Sequence, residues 1–462
     1  MFFFKKTLTS VKSKINRSIG ILQTQGSFGR NIAITFSGNT FILILGFILT
    51  PIMAKVYGPE SYGQFAVFTA VCSLIIPFAG FQYPNGFVAA RNRNEFFALI
   101  RMSVLSVLVV SGLSYFLVHL YVLIQNKNHT IENEIIFLIP IYVLFSGLFV
   151  VLRGINVKLK EFGIAAKAKS FANLGGKLTS VGIGTIVSQS VIGLIIGNIV
   201  LLFVESLSLL SKKLRLEIFF VSNVKIKTAE YRSAFINFKE YPTYVTINSV
   251  IHSVGTQIPI YFIALYFSEQ QVGLFSLSLA LILMPLNLIG NSIATVFLPK
   301  ISELKDNIEQ RNRVVIELYK KLFYPGVIIL IFGSITLGYL VTPVLGNEWK
   351  GAGILASFIA VSFSFTLISL PLEVTYRIIG FERDNFKLNL FFILVKVIGI
   401  SIGVYFQEFY LTIFCYFFAE LIKNAAQVVV LFKRLSISIN FIFRDLIVVA
   451  IIYSLLFHLT KT

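Results

Sequence analysis

The stretch AKVYGPESYGQF, residues 54–65, closes one long apolar segment and opens the next. A second junction of the same kind, ALYFSEQQVGLF, occupies residues 264–275. An offset of 210 residues aligns the two without a gap, so that a Gly-x-Phe step opens the following segment in both places. Internal structural repeats are often this weak in sequence. The pair of junctions therefore predicts a chain built from two related halves.

Twelve apolar segments extend outward from these junctions. They lie near residues 31–55, 63–88, 97–124, 134–152, 170–189, 191–210, 244–267, 272–298, 322–345, 352–376, 388–406 and 409–432. A transmembrane helix needs about 20 mostly apolar residues, and most of the segments reach that length. Hydrophobic residues make up 56% of the 462 residues and charged residues only 13%. This composition indicates a polytopic membrane protein and not a soluble domain.

Positive charge falls on alternate connections between the segments. Of the 40 Lys and Arg residues, 33 lie in the N-terminal arm, in the even-numbered connections and at the segment ends beside them. The odd-numbered connections hold only Lys55, Lys127 and Lys350. Because cytoplasmic loops accumulate Lys and Arg, the pattern predicts a cytoplasmic N-terminus. The net charge of +19 is spread over short loops beside the lipid, which argues against nucleic-acid binding.

The predicted fold is all-α, with two six-helix lobes. Six is an even number, so both lobes share one orientation and their pseudo-twofold axis runs along the membrane normal. The predicted divisions are a basic cytoplasmic arm, a first lobe, a cytoplasmic connection, a second lobe and a C-terminal apolar segment, at residues 1–30, 31–211, 212–240, 241–433 and 434–462. The last apolar run, Leu446 to Leu459, is short. We expect it to lie at the interface, and a thirteenth span is the alternative.

Two lysines lie near the middle of segments at matching positions of the repeat. An offset near 219 pairs the fifth segment with the eleventh and places Lys177 on Lys396. Ionisable groups within a bilayer are costly and usually face a cavity or a partner. The two ammonium groups therefore predict a cationic cavity for an anionic substrate, since such charges attract phosphate strongly in a low dielectric. The alternative is that each lysine pairs with an acid inside the membrane.

Other polar residues within the segments extend this candidate site. The neutral residues predicted to bind substrate are Asn39, Asn173, Asn248 and Asn291. Glu205 is the candidate for coupling to a proton or a sodium ion, and the alternative is that it neutralises Lys177. Glu420 and Lys423 are three residues apart on one helix and are expected to satisfy each other. The two cysteines lie within segments without metal-ligand spacing, so neither a metal site nor a cofactor is predicted.

The junction containing Tyr57-Gly58-Pro59-Glu60, with the basic loop at residues 91–93 and the basic connection at 153–169, resembles the oligosaccharide flippase family. These are the Wzx-type exporters of lipid-linked O-antigen, capsule or exopolysaccharide units. They belong to a superfamily that includes multidrug and toxin extrusion transporters. The resemblance spans residues 31–433, and the stretch at the junction is its distinctive motif. It implies a positively charged central cavity, which Lys177 and Lys396 would supply here.

The resemblance implies a function in the biosynthesis of surface polysaccharide. Such a protein moves polyprenyl-pyrophosphate-linked oligosaccharide from the cytoplasmic to the outer face of the bacterial inner membrane by alternating access. Its expected partners are that lipid-linked substrate, the phospholipid bilayer, a polysaccharide polymerase and a chain-length regulator. A flippase of this kind is not an enzyme, and the sequence contains no Gly-rich phosphate loop or nucleophile elbow.

Two other functions are compatible with a polytopic chain. A drug or organic-cation antiporter of the same fold would favour acidic residues in the first, second, seventh and eighth segments, which contain none. A membrane polysaccharide polymerase would favour a sizeable outward loop with groups that hold and activate the substrate. The longest outward connection runs only from about residue 125 to residue 133.

Overall fold

The computed structural model describes residues 26–125 and 131–459, and these fold into helices joined by short turns. The predicted basic arm lies almost wholly outside the described residues. The helices before the second junction are α1 Gly26–Ala79, α2 Arg93–Gln125, α3 Ile131–Lys158, α4 Phe162–Ile186, α5 Val191–Ser208, α6 Lys212–Asn223, α7 Thr228–Asn237 and α8 Thr246–Tyr266. Those after it are α9 Glu269–Glu303, α10 Ile308–Leu345, α11 Lys350–Ser362, α12 Thr366–Ile379, α13 Glu382–Tyr405, α14 Phe409–Arg434 and α15 Asn440–Leu459. The all-α prediction is confirmed.

The first junction is a kink inside α1, between the first and second predicted segments. Gly58 alone leaves the helical conformation, at φ 69° and ψ 171°. A positive φ is accessible to glycine without steric cost, and Pro59 has the fixed φ that suits the first turn of the helix after the kink. The first and second predicted segments therefore join through a single residue.

The helices differ in whether they are long and apolar enough to cross a membrane. Within the described residues, nine helices are long and apolar enough to cross a bilayer. They become ten when the bent pair Asn347–Ser362 and Thr366–Glu373 is taken as one span. Helices α4 and α8 are not among them, because polar residues such as Lys177 and His252 interrupt their apolar sequence. The predicted count of twelve spans is not confirmed by length and hydropathy.

The helix ends lie on two sides of the molecule. Lys158, at the end of α3, donates hydrogen bonds to the carbonyls of Val88 and Ala90 just before α2, and Arg93 forms an ion pair with Glu217 of α6. We call this side the basic face. The kink of α1 and the start of α9 lie on the other side, which we call the opposite face.

Helix α15 packs against α14 and is long and apolar enough to cross a bilayer, which favours the alternative of a thirteenth span over an interfacial segment. Tyr453 is fully buried, donates a hydrogen bond of 2.9 Å to the carbonyl of Phe414 near the start of α14, and stacks on that ring at 4.7 Å. Near the other end, Asp445 is buried and accepts a hydrogen bond of 3.1 Å from Tyr319 of α10. The helix begins at Asn440 and has 20 residues. The predicted apolar run was shorter than this helix because it left out Arg444 and Asp445. These two residues form an ion pair, and each also binds a tyrosine of α10.

The glycines of the two junctions meet where the halves of the chain pack together. A Cβ added to Gly63 would overlap the carbonyl oxygen of Glu269, and one added to Gly273 would overlap the carbonyl oxygen of Pro59. The offset of 210 residues carries Pro59 onto Glu269 and Gly63 onto Gly273. The contact is therefore reciprocal, as at a twofold interface. Only glycine allows the backbones of α1 and α9 to approach so closely.

Candidate functional site

Lys177 lies in the middle third of α4. It is 15 residues after the start of α4 and nine before its end, so it lies about 22 and about 14 Å from the two ends at 1.5 Å per residue. The next residue before it, Gly176, is in close contact with the carbonyl of Gly197 on α5. That contact packs one side of α4 against α5, and the side chain of Lys177 leaves the helix on a different side.

The ammonium group of Lys177 faces the first half of α1. Its Nζ donates a hydrogen bond of 3.0 Å to the Oγ1 of Thr50. It also lies beside Gly46, which is in contact with Met284 of α9. In the part of the chain that the structure describes, no acidic side chain forms an ion pair with Lys177. A half-buried cation therefore lies where α1, α4 and α9 converge.

Between Lys177 and the opposite face, contacts between the two halves of the chain close the structure. The fully buried Trp349 donates a hydrogen bond of 3.2 Å to the carbonyl of Ala54. Gln64 donates one of 2.7 Å to the carboxylate of Glu269. Deeper in, Tyr261 of α8 donates one of 2.7 Å to the carbonyl of Ala70. We call these contacts, together with the Gly63–Gly273 contact, the outer seal.

Lys396, the counterpart of Lys177 in the repeat, has a different environment. It is buried and forms an ion pair with Glu420 of α14. The same carboxylate binds Lys423 at 3.2 Å and accepts a hydrogen bond of 3.1 Å from Asn424. The predicted local pair of Glu420 and Lys423 is confirmed, and Glu420 is shared with α13 as well. For Lys396 the structure matches the alternative of pairing with an intramembrane acid.

Substituting Glu420 by Gln is expected to destabilise the protein by about 3–5 kcal/mol, because it leaves Lys396 buried without its counter-charge. The measurement is the midpoint of thermal unfolding in detergent. The matched control is Glu317→Gln, which breaks the exposed pair with Lys321 at 2.6 Å. That change should leave the midpoint almost unchanged, because an exposed ion pair contributes little to stability. Equal midpoints for the two variants would contradict a structural role for the buried pair.

The remaining predicted residues are distributed over several environments. Asn173 donates a hydrogen bond of 2.9 Å to the carbonyl of Lys169 one turn earlier in its own helix. Glu205 is buried near the end of α5, and the charges that act on it are those of Lys169 and Arg153. The second interpretation for Glu205, a partner of Lys177, is not what the structure shows. The side chains of two further residues lie outside the described part, namely Asn39 and Asn291.

Asn248 belongs to an exposed polar stripe on α8. Asn248, His252 and Thr256 follow one another at intervals of four residues, and all three are exposed. Tyr244, four residues before Asn248 in the π-helical turn that precedes α8, is exposed as well. Residues four apart lie on one face of a helix. A run of this polarity is costly against lipid, so this face is expected to contact water. The sequence indicated Asn248 alone, and the stripe becomes visible only with the exposure of each residue.

Comparisons with known proteins assign the chain to a family. The family described as "Polysaccharide biosynthesis protein" matches residues 52–353. The chain belongs to this family. It is also 23% identical over 377 residues, 78% of this chain and 88% of the relative, to the capsular polysaccharide biosynthesis protein CapF of Staphylococcus aureus.

Solved transporter structures share the fold of this polysaccharide biosynthesis protein. The lipid II flippase MurJ in an inward closed conformation matches at a TM-score of 0.67 and 16% identity, over 92% of this chain and 97% of the flippase. An inward-facing MATE-family multidrug resistance transporter of the MOP superfamily matches at 0.61 and 14% identity, over 92% of this chain and 98% of the transporter. The chain therefore has the fold of that superfamily, and it is a multi-pass membrane protein.

Proposed function

We propose that this polysaccharide biosynthesis protein is a flippase. It moves polyprenyl-pyrophosphate-linked oligosaccharide from the cytoplasmic to the outer face of the bacterial inner membrane. The units then serve the assembly of capsule or another surface polysaccharide. Transport requires no covalent chemistry by the chain itself, and the polymerase and chain-length regulator act on the units afterwards.

The observation that carries this proposal is the half-buried ammonium of Lys177 directly beneath the outer seal. Its partner is the neutral hydroxyl of Thr50, so its positive charge is available to an anion. A pyrophosphate that reached this depth would exchange water for a cation in a low dielectric, where the attraction is strongest. The exposed stripe of α8 gives hydroxyl and amide groups that suit a hydrated sugar.

The contacts between the two halves of the chain support alternating access. The outer seal closes the opposite face, while the polar stripe of α8 lies in the half of that helix nearer the basic face. The protein is then open toward the cytoplasm when the basic face is cytoplasmic. Opening requires the reciprocal contact of Gly63 and Gly273 to separate. In a cell that is negative inside, outward movement of one negative charge is favoured by about 2.3 kcal/mol per 100 mV.

The orientation predicts the location of the C-terminus. We propose that α15 is a thirteenth span after the twelve predicted ones, so that the chain ends outside if it begins inside. Alkaline phosphatase fused after Thr462 should be active, and green fluorescent protein fused there should be dark. A fusion truncated after Ser436, in the turn before α15, should show the reverse. Fluorescence at both positions would contradict the span assigned to α15.

Deletion of the gene in its native host tests the function. The expected result is loss of surface polysaccharide with lipid-linked units trapped on the cytoplasmic face, both restored by the wild-type gene. The MATE-like fold favours a second candidate, an organic-cation antiporter. Unchanged polysaccharide with increased drug sensitivity would support that function instead. Single units that reach the outer face without being joined would indicate a polymerase.

A further inference from the structure

The two helices between the halves of the chain, α6 and α7, pack along the first turns of α2. We call residues 211–240 the linker. Arg93, Asn94 and Glu95 of α2 bind in turn Glu217, Glu230 and Asn237 of the linker, at 3.3, 2.8 and 2.9 Å. The linker is thereby fixed to the basic end of the first half of the chain.

Arg101 indicates the depth at which the linker lies in the bilayer. Its guanidinium donates hydrogen bonds to the carbonyls of Val221 and Val224 and to the hydroxyl of Tyr231. Arg101 is also the last charged residue of α2, since residues 102–125 contain no Asp, Glu, Lys or Arg. The hydrocarbon therefore begins just beyond it, and the linker lies at the depth of the lipid headgroups.

Helix α6 has an apolar face turned away from the protein. Leu214 and Val221, seven residues apart, are buried against the first half of the chain. On the other side of the helix, Leu216 is 57% exposed and Phe219 is 61% exposed. A helix at the headgroup level with one face on the protein presents its other face to the surrounding lipid.

Cations surround this apolar face. Lys212, Lys213 and Arg215 are exposed in the first turn of α6, and among the described residues none of them forms an ion pair with an acid. The linker as a whole contains seven Lys and Arg and three Glu. Two of those acids, Glu217 and Glu230, already bind α2. Within the described ranges, the three cations of α6 are therefore not paired with a carboxylate of the protein.

We propose that the linker is a binding surface for the anionic phospholipids of the surrounding bilayer. Leu216 and Phe219 enter the boundary between headgroups and acyl chains, and the three cations of α6 bind lipid phosphates. Apolar insertion combined with basic residues beside it is how interfacial helices bind anionic membranes. The inference concerns lipid binding alone and does not depend on which substrate the protein moves.

A fluorescent probe at Phe219 tests the proposal. Phe219→Cys is made in a background with Cys72→Ala and Cys415→Ser, labelled with an environment-sensitive dye, and placed in nanodiscs of phosphatidylcholine with or without phosphatidylglycerol. The control is Asp306→Cys, in the exposed turn between α9 and α10. We expect blue-shifted emission and quenching by brominated lipid at Phe219 and not at Asp306. Phosphatidylglycerol should increase both effects.

Charge reversal separates the lipid phosphates from simple apolar insertion. In the variant Lys212→Glu/Lys213→Glu/Arg215→Glu, the increase caused by phosphatidylglycerol should be lost. If Phe219→Cys fails to assemble in the membrane, Leu216→Cys provides the same measurement. A probe that remains as water-exposed as the one at Asp306 would overturn the proposal. So would a response to phosphatidylglycerol that survives charge reversal.

Discussion

Lys177→Ala should reduce export of lipid-linked oligosaccharide by about 10- to 150-fold. This range corresponds to the loss of a hydrogen-bonding interaction with a charged group, about 1.5–3 kcal/mol. Lys177→Arg keeps the charge and should retain part of the transport, although its planar guanidinium does not replace the compact ammonium bound to Thr50. The measurement is the amount of surface polysaccharide and of cytoplasm-facing intermediate in a deletion strain that expresses each variant.

The control for this variant is Leu178→Ala, one residue further along α4. Leu178 is 51% exposed and lies on a side of the helix different from that of the ammonium group, so this change should leave export at the wild-type level. Thr50→Val removes only the neutral partner of Lys177 and should have a smaller effect than Lys177→Ala. Wild-type export by Lys177→Ala at equal expression would remove Lys177 from the site.

Gly63→Leu should stop transport by preventing closure of the outer seal. The added side chain would overlap the carbonyl of Glu269, which belongs to the backbone of α9. Overpacking of this kind costs about 1–3 kcal/mol or more, which shifts a two-state equilibrium about 5- to 150-fold away from the closed state. The same result is expected for Gly273→Leu, because the contact is reciprocal.

Thiol labelling from outside measures the state of the seal. Ala54→Cys, in a background without the native cysteines, is fully buried while the seal is closed. A membrane-impermeant maleimide should label it slowly in the parent and quickly when Gly63→Leu is added. The matched control is Gly112→Leu on α2, where nothing lies within 4 Å of an added Cβ. Equal labelling with Gly63→Leu and Gly112→Leu would contradict the assignment of the closed side.

The two junctions show how far the sequence could predict the structure. Their spacing and their shared Gly-x-Phe step indicated a repeat, and the close approach of Gly63 and Gly273 explains why glycine occupies both positions. The sequence could not predict that these glycines touch each other. Residues 210 positions apart meet only through the packing of the two halves, and no local pattern encodes that contact.

For the two lysines, the repeat in the sequence predicted a similarity that the structure does not show. Their matched positions in the repeat suggested equal roles, yet Lys177 binds the hydroxyl of Thr50 and Lys396 binds the carboxylate of Glu420. Spacing along one helix revealed the pair of Glu420 and Lys423, because residues three apart are neighbours. It could not reveal a partner on the adjacent helix. Thr50 gave no signal at all, since a single threonine in an apolar segment is ordinary.

Movement of a labelled substrate by the purified protein tests the central claim most directly. Proteoliposomes would contain the protein and a fluorescent short-chain polyprenyl-pyrophosphate oligosaccharide, and a membrane-impermeant quencher would report the units on each leaflet. We predict transfer between leaflets by the wild-type protein, little transfer by Lys177→Ala, and none by Gly63→Leu. If the wild-type protein leaves the units in place while it moves an organic cation, the flippase function is contradicted and the chain is an antiporter.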